Sequence, residues 1–228
     1  LERGAEVSDD KGEQERGDDG VLAEAEITGV QNETLIQTRR EQICDAALEL
    51  FLEKGFASTT IRDICARSGV NQASIYDYIA NKNDILRRLL NQLWFRKDVS
   101  PLPELLAEDR SLEDIFTEYF REVWDKKRKG TLLIYRSVPH LQAEDRQAMR
   151  KRDRALIEDL VAQLRRRAGL QQEDARLEVM ANLLVFLSAF GPMRDWLTRH
   201  IDDELVLKTV VAGAAAMVRQ VISDIEDD

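Results

Sequence analysis

The stretch "STTIRDICARSGVNQASIYDY", residues 58–78, decides how the rest of the chain is read. Ser/Thr residues stand where a helix needs N-caps, Ile61, Ile64 and Cys65 form an apolar stripe, and Gly69 ends the helix after about two turns. Asn71 then caps a second short helix that the spacing predicts through Tyr78, with Ile75 facing inward. Two helices this short, joined by Ser68-Gly69-Val70, have the proportions of a helix-turn-helix, whose second helix enters the DNA major groove. The crossing needs a small side chain four residues before the turn glycine, and Cys65 is there. Val70 and Ile75 pin the second helix. Left facing outward are Gln72, Ala73, Ser74 and Tyr76: neutral donors and acceptors, an apolar contact, and a helix start suited to phosphate.

On the N-terminal side, apolar residues at Ile36, Ile43, Ala47, Leu50 and Phe51 recur at helical spacing, which predicts a first helix from Leu35 to Lys54 closed by Gly55. On the other side, "ANKND" ends the short helix and caps a fourth from about Asp84 to Lys97. Pro101 and Pro103 mark a loop, and amphipathic segments come after it at about 111–128, 131–137, 143–168, 173–190 and 202–223. No stretch alternates with a period of two for long enough to predict a strand. The expected fold is all-α with about nine helices. A three-helix DNA-binding domain is expected over 35–83 and a helical ligand-binding and dimerisation domain over 84–228.

The 228 residues carry a formal net charge of −10, which looks hostile to nucleic acid until it is located. Residues 1–34 hold eleven Asp/Glu against three Lys/Arg. That leader lacks aromatic residues and is expected to be a disordered acidic extension. Residues 35–83 balance six cations (Arg39, Arg40, Lys54, Arg62, Arg67, Lys82) against six acids. Base edges can be read by neutral groups, so this balance is compatible with DNA provided the cations lie on the DNA side.

Residues 40–86, "REQICDAALELFLEKGFASTTIRDICARSGVNQASIYDYIANKNDIL", resemble the DNA-binding domain of the TetR family of bacterial transcriptional repressors. The likeness lies in A-A-L-E-L-F and K-G-F of the first helix, T-T-I-R-D-I of the second, the S-G-V turn, I-Y-x-Y and the lysine that follows. It implies that Thr60 touches phosphate and that Asn71 starts the recognition helix. It also implies that Gln72, Ala73 and Ser74 meet base edges, that Tyr76 and Tyr78 meet backbone or bases, and that Lys82 anchors on phosphate. Asp77 departs from the pattern, since many relatives are neutral or aromatic there.

Beyond Asp84 the resemblance implies only an architecture, a helical domain that binds a small molecule and dimerises through its last two helices. "VMANLLVFLSAF", 179–190, is apolar nearly all round, as a helix buried on two sides would be, and falls short of a bilayer span. "VVAGAAAMV", 210–218, offers small residues for close helix approach. Trp94, Phe116, Tyr119, Phe120, Trp124, Tyr135, Phe186 and Phe190 fall on helices expected to surround one largely apolar cavity. Residues 118–145 resemble relatives that answer to acyl-CoA thioesters. The runs "KKRK" (126–129) and "RRR" (165–167) either meet CoA phosphates or are solvated helix faces.

Cys44 and Cys65 have no partner pattern for a metal, and His140 and His200 are isolated, so neither metal nor cofactor is expected. No nucleophile elbow, P-loop, zinc-protease or dinucleotide fingerprint occurs, which argues against an enzyme. The expectation is a cytoplasmic repressor that binds a palindromic operator as a homodimer and is released by a mostly apolar small molecule, an acyl-CoA thioester leading. The alternative is a helical ligand-binding or adaptor protein whose DNA module no longer functions.

Overall fold

The structure, a computed structural model, describes residues 21–27 and 32–227. Among them are ten α-helices, two short 3₁₀ turns and no strand. Asn32 caps α1 (Glu33–Lys54) by accepting from the Leu35 N–H at 3.1 Å, two residues before the expected start. Ile36, Ile43, Ala47, Leu50 and Phe51 are buried along it. Thr60 starts α2 (Ile61–Ser68) with a capping box. Its hydroxyl accepts from the Asp63 N–H at 3.2 Å, and the Asp63 carboxylate accepts from the Thr60 N–H at 2.8 Å. Gly69 ends α2 at φ +72°, where an L side chain would be strained.

The predicted helix over 71–78 is not a regular one. Asn71 takes the turn role expected of it, its side chain accepting from the Ala73 N–H at 2.9 Å, but the backbone continues as a turn and then a single 3₁₀ turn, Ile75–Asp77. The bonds here run three residues back, from Ser74 to Asn71, Asp77 to Ser74 and Tyr78 to Ile75. Asn and Ser side chains offer the backbone local alternatives to the α-helical ladder, and eight residues are too few to outweigh them.

Asn81 caps α3 (Lys82–Leu93). After Pro101 comes α4 (Leu102–Leu106), then α5 (Leu112–Lys126) behind a Ser111 cap, and α6 (Arg128–Ser137). A 3₁₀ turn, Val138–His140, leads to the 26-residue α7 (Ala143–Ala168). Last come α8 (Ala175–Ser188), α9 (Phe190–Thr198) and α10 (Asp203–Glu226). The apolar run 179–190 is therefore interrupted: α8 and α9 meet at a 49° bend.

Two hydrophobic cores result. The first joins α1, α2 and α3 to Leu133 and Ile134 of α6, Leu141, and Met149 of α7, so it continues well past residue 83. Phe56 sits at its seam, with the Lys82 ammonium 4.4 Å from one ring face and the His140 ring stacked at 6.0 Å. The second core packs α4, α5, the far end of α7, α8 and α10. Where α6 crosses the end of α3, Gly130 is obligatory, because a Cβ there would lie 2.4 Å from the Leu93 carbonyl oxygen.

Residues 21–27 correct the expectation of a disordered leader over 1–34. Leu22 is 1% exposed within the first core, which is worth about 1.5–3 kcal/mol for such a side chain. Asn91 pairs with both its N–H and its C=O, at 3.0 and 2.9 Å. Arg88 bridges Glu24 at 2.7 Å, the Ala25 carbonyl at 2.7 Å and the buried Asp84 at 3.3 Å, while Asp84 accepts from the Ala25 N–H. An acid-rich segment is thus held by a cation and an amide on α3. The expectation for residues 1–20 lies outside the described residues.

Candidate functional site

The surface made by α2 and the 71–78 segment presents Asn71, Gln72, Ala73, Tyr76 and Asp77 to solvent, with Ser74 and Tyr78 half-buried beside them. Beneath, Val70, Ile75 and Ile79 are fully buried and fix the segment to the core. Arg40 of α1 donates to the Tyr78 carbonyl at 2.9 Å and ties its far end down. The six sequence-predicted residues from Asn71 to Tyr78 are therefore brought together at one surface.

The other two are placed differently. The Lys82 ammonium, expected on phosphate, donates to the carbonyls of Phe56 at 2.8 Å and Thr59 at 2.7 Å, with Ala57 at 3.4 Å. Its three hydrogens close the loop between α1 and α2, and burial lowers its pKa. Thr60 is exposed, but its hydroxyl is engaged with Asp63, both giving and receiving a hydrogen bond. Lys54 adds a 2.8 Å ion pair to Asp63, and these donors hold that carboxyl well below its usual range. Arg67 is bound by Glu49 and Glu53. Arg62, on the first turn of α2, is exposed and has no partner among the described residues. It is the cation best placed for a phosphate, and the sequence signal for it was its position two residues after the Thr60 cap.

Cys65 is buried at the helix crossing and Cys44 lies deeper, its thiol pushed up to about 12 mainly by burial. Both are inert packing groups.

The C-terminal aromatic residues do not surround one cavity. Phe116, Phe120 and Trp124 stack in a column, centroids 5.8 and 6.1 Å apart, with Phe190 6.5 Å beyond and the first two fully buried. Trp124 donates to the Ser188 carbonyl at 3.1 Å and lines a cavity of about 350 Å³ with Arg128, Gly191 and Leu207. Trp94 and Tyr135 meet edge to face 6.5 Å apart at a second place, against the first core. Tyr119, tilted against Phe120, lies within electrostatic reach of Arg152. Phe186 is corrected outright: it is 63% exposed on the outer face of α8, in line with Val179 and Leu183. An open groove of about 770 Å³ between α7 and α8 is lined mainly by charged side chains and by none of the predicted aromatics.

The basic runs resolve into separate roles. Arg167 donates to the carbonyls of Leu106, Glu108 and Arg110 and closes the end of α4. Lys126 pairs with Glu122 at 2.8 Å and Arg128 with Asp195 at 2.6 Å.

Residues 43–89 match the family described as bacterial regulatory proteins, tetR family, over the part of the chain that carries the helix-turn-helix. This segment is a TetR-family DNA-binding domain. Among curated relatives it is 32% identical over 130 residues to the HTH-type transcriptional regulator HbdR of Aromatoleum sp. (strain CIB), covering 54% of this chain and 55% of that one. It is 30% identical over 112 residues to the HTH-type transcriptional repressor KstR2 of Rhodococcus jostii (strain RHA1), covering 47% and 54%. The chain thus spans about half the length of these relatives. Among solved structures, a bacterial regulatory protein in the tetR family from Rhodococcus RHA1 superposes with a TM-score of 0.60 at 18% identity, covering 79% of this chain and 96% of that one. The transcriptional regulator FadR from Bacillus subtilis, in complex with stearoyl-CoA, superposes with a TM-score of 0.54 at 18% identity, covering 80% and 97%. These likenesses establish the TetR fold, an N-terminal helix-turn-helix with a helical C-terminal domain.

Proposed function

We propose that this TetR-family chain is a cytoplasmic, ligand-responsive transcriptional repressor that binds a two-fold symmetric operator as a homodimer and is released by a mostly apolar small molecule. The observation that carries it is the row Asn71, Gln72, Ala73 and Tyr76, solvent-facing and uncharged, mounted on a buried Ile75 and Ile79. Such a row reads base edges, with Arg62 supplying phosphate attraction. Mobility-shift and footprinting assays on DNA upstream of its own gene test this. Gln72→Ala is expected to weaken binding by about 1–3 kcal/mol and to relax preference at one base pair in each half-site. A footprint unchanged by the substitution overturns the placement of the reading surface.

Dimerisation is inferred from apolar surface that one protomer leaves uncovered. Val179 is 61% exposed, and with Leu183 and Phe186 it runs along one face of α8. The neighbouring α10 exposes Leu205, Ala212, Gly213, Ala216 and Met217. By length and composition α10 could cross a membrane, as could the bent α8–α9 pair. Packing of α10 against α5 and α8 favours a helix that is shared between two copies.

The effector reading draws on FadR, whose structure holds stearoyl-CoA. An acyl thioester is the leading candidate here, bound beside α3 so that it changes the spacing of the two reading surfaces. The adaptor alternative, a DNA module that no longer functions, is favoured by one observation, the exposed Asp77 within the reading segment. Absence of any specific shift would select it.

A further inference from the structure

Among the described residues, most positively charged side chains have a partner. Arg87 meets Asp145 and Glu144, Arg88 meets Asp84 and Glu24, Arg96 meets Asp98, and Lys126, Arg128 and Arg121 each have a carboxylate. Lys127 and Arg152 depart from this pattern, as do the exposed Arg62, Lys129, Arg150, Lys151, Arg194 and Arg199, and of all these Lys127 is the one that is half-buried. Neither Lys127 nor Arg152 makes a hydrogen bond or an ion pair among the described residues, and Lys127 lies within the field of Arg152. Lys127 occupies the junction of α5 and α6 and is half-buried. Arg152, one face open to solvent, lays its guanidinium 4.3 Å from the centre of the Phe95 ring.

A half-buried cation with a second cation nearby is unfavourable unless something negative lies between them. Asp153 acts on Arg152 and Asp98 on Lys127, but neither carboxylate is hydrogen-bonded to its cation. Burial together with the field of Arg152 lowers the Lys127 pKa to about 8. The surroundings suit a ligand. Thr131, one turn along α6 from Lys127, is 0% exposed, and its hydroxyl has no hydrogen-bond partner. A further turn along stands Tyr135 against Trp94. Tyr119 of α5 lies within the field of Arg152, its hydroxyl hydrogen-bonded to Ser188. Hydroxyls, two cations and aromatic walls together make a receptor for an anion with an apolar body.

We propose that Lys127 and Arg152, with Thr131 beside them, bind the anionic head group, a carboxylate or a phosphate, of an amphipathic effector whose apolar part lies against Trp94 and Tyr135. This rests on the reading of the chain as a ligand-controlled repressor and supplies the chemistry of its ligand.

The probe is 8-anilinonaphthalene-1-sulfonate, an apolar anion whose sulfonate does not titrate near neutrality, compared with 1-anilinonaphthalene, the same ring system without charge. Fluorescence titration of the full chain is expected to give at least ten-fold tighter binding of the sulfonate. Lys127→Gln and Arg152→Gln should each abolish most of that preference while leaving the neutral compound unchanged. Sulfonate affinity should fall between pH 7 and 9 in the wild type and stay flat in Lys127→Gln. The charged and titratable groups that act on Lys127 and Arg152 are Arg96, Asp98, Tyr119 and Asp153. Competition distinguishes the sources: displacement by decanoate assigns a carboxylate head, whereas displacement only by decanoyl-CoA and by CoA itself assigns phosphate. Equal binding of charged and neutral probes, variants indistinguishable from wild type, or displacement by none of these competitors overturns the proposal. Operator binding of the unliganded protein is measured alongside. If DNA is not bound while the charge preference holds, the repressor reading fails and the anion site stands.

Discussion

The carboxamide of Asn91 on α3 grips both backbone groups of Leu22, at 3.0 and 2.9 Å, much as a neighbouring strand would. A segment sixty-nine residues earlier in the chain is thereby fastened to a helix of the first core.

This attachment is expected to be a measurable part of the stability. Leu22→Ala should cost about 2–4 kcal/mol and Asn91→Ala about 1–2 kcal/mol in urea denaturation. The two residues touch, so the double variant should fall short of the sum. Full additivity would mean that the segment is not docked in solution.

Lys82 and Arg62 should separate cleanly in the laboratory. Lys82→Met leaves the Phe56 and Thr59 carbonyls without their donor and is expected to cost about 1–3 kcal/mol of stability, with the salt dependence of DNA binding unchanged. Arg62→Ala should leave stability within about 0.5 kcal/mol and lower the salt slope of DNA binding by about one. The reverse pattern would restore Lys82 to the phosphate.

Phe186→Glu places a charge on the uncovered α8 face. Sedimentation velocity should then report a monomer that retains the helical spectrum of the wild type, and operator affinity should drop with it. A dimer unaffected by the substitution would put the contact elsewhere.

The pH dependence of stability has a defined sign at Lys127. Its pKa falls from 10.5 to about 8 in the folded chain, burial being the main cause, so between those values the unfolded chain binds more protons. Stability contributed by this group therefore rises with pH over that window. Allowing for solvent screening, Lys127→Met is expected to be more stable than wild type by on the order of 1–2 kcal/mol at pH 7, with the difference vanishing toward pH 10.5. Parallel curves for the two proteins would show that Lys127 is solvated.

The features legible from residues alone are those whose causes are local. Cys65, Gly69, Val70 and Ile75 announced the helix crossing because their slots are local and tolerant of few side-chain sizes. The partners of Lys82 are carbonyls more than twenty residues away, and nothing in a sequence marks a carbonyl as vacant. Leu22 was hidden by its acidic surroundings, whose charge is offset by Arg88 far along the chain. Phe186 and Phe190 looked equivalent within one apolar run, yet the bend between α8 and α9 turns one toward solvent and the other toward Trp124. The regular helix expected over 71–78 failed because Asn71 and Ser74 satisfy their neighbours locally.

Phe56, lodged between an ammonium from α3 and an imidazole from the far side of the chain, limits how modular this protein is. A chimera that grafted its reading head onto another regulator by splicing at residue 83 would carry Phe56 away from His140 and part Ile43, Phe51 and Ile79 from Leu86, Leu89 and Leu90 of the same core. Transplanting specificity therefore means exchanging the exposed row on its surface, residue for residue, and leaving the seam beneath it whole.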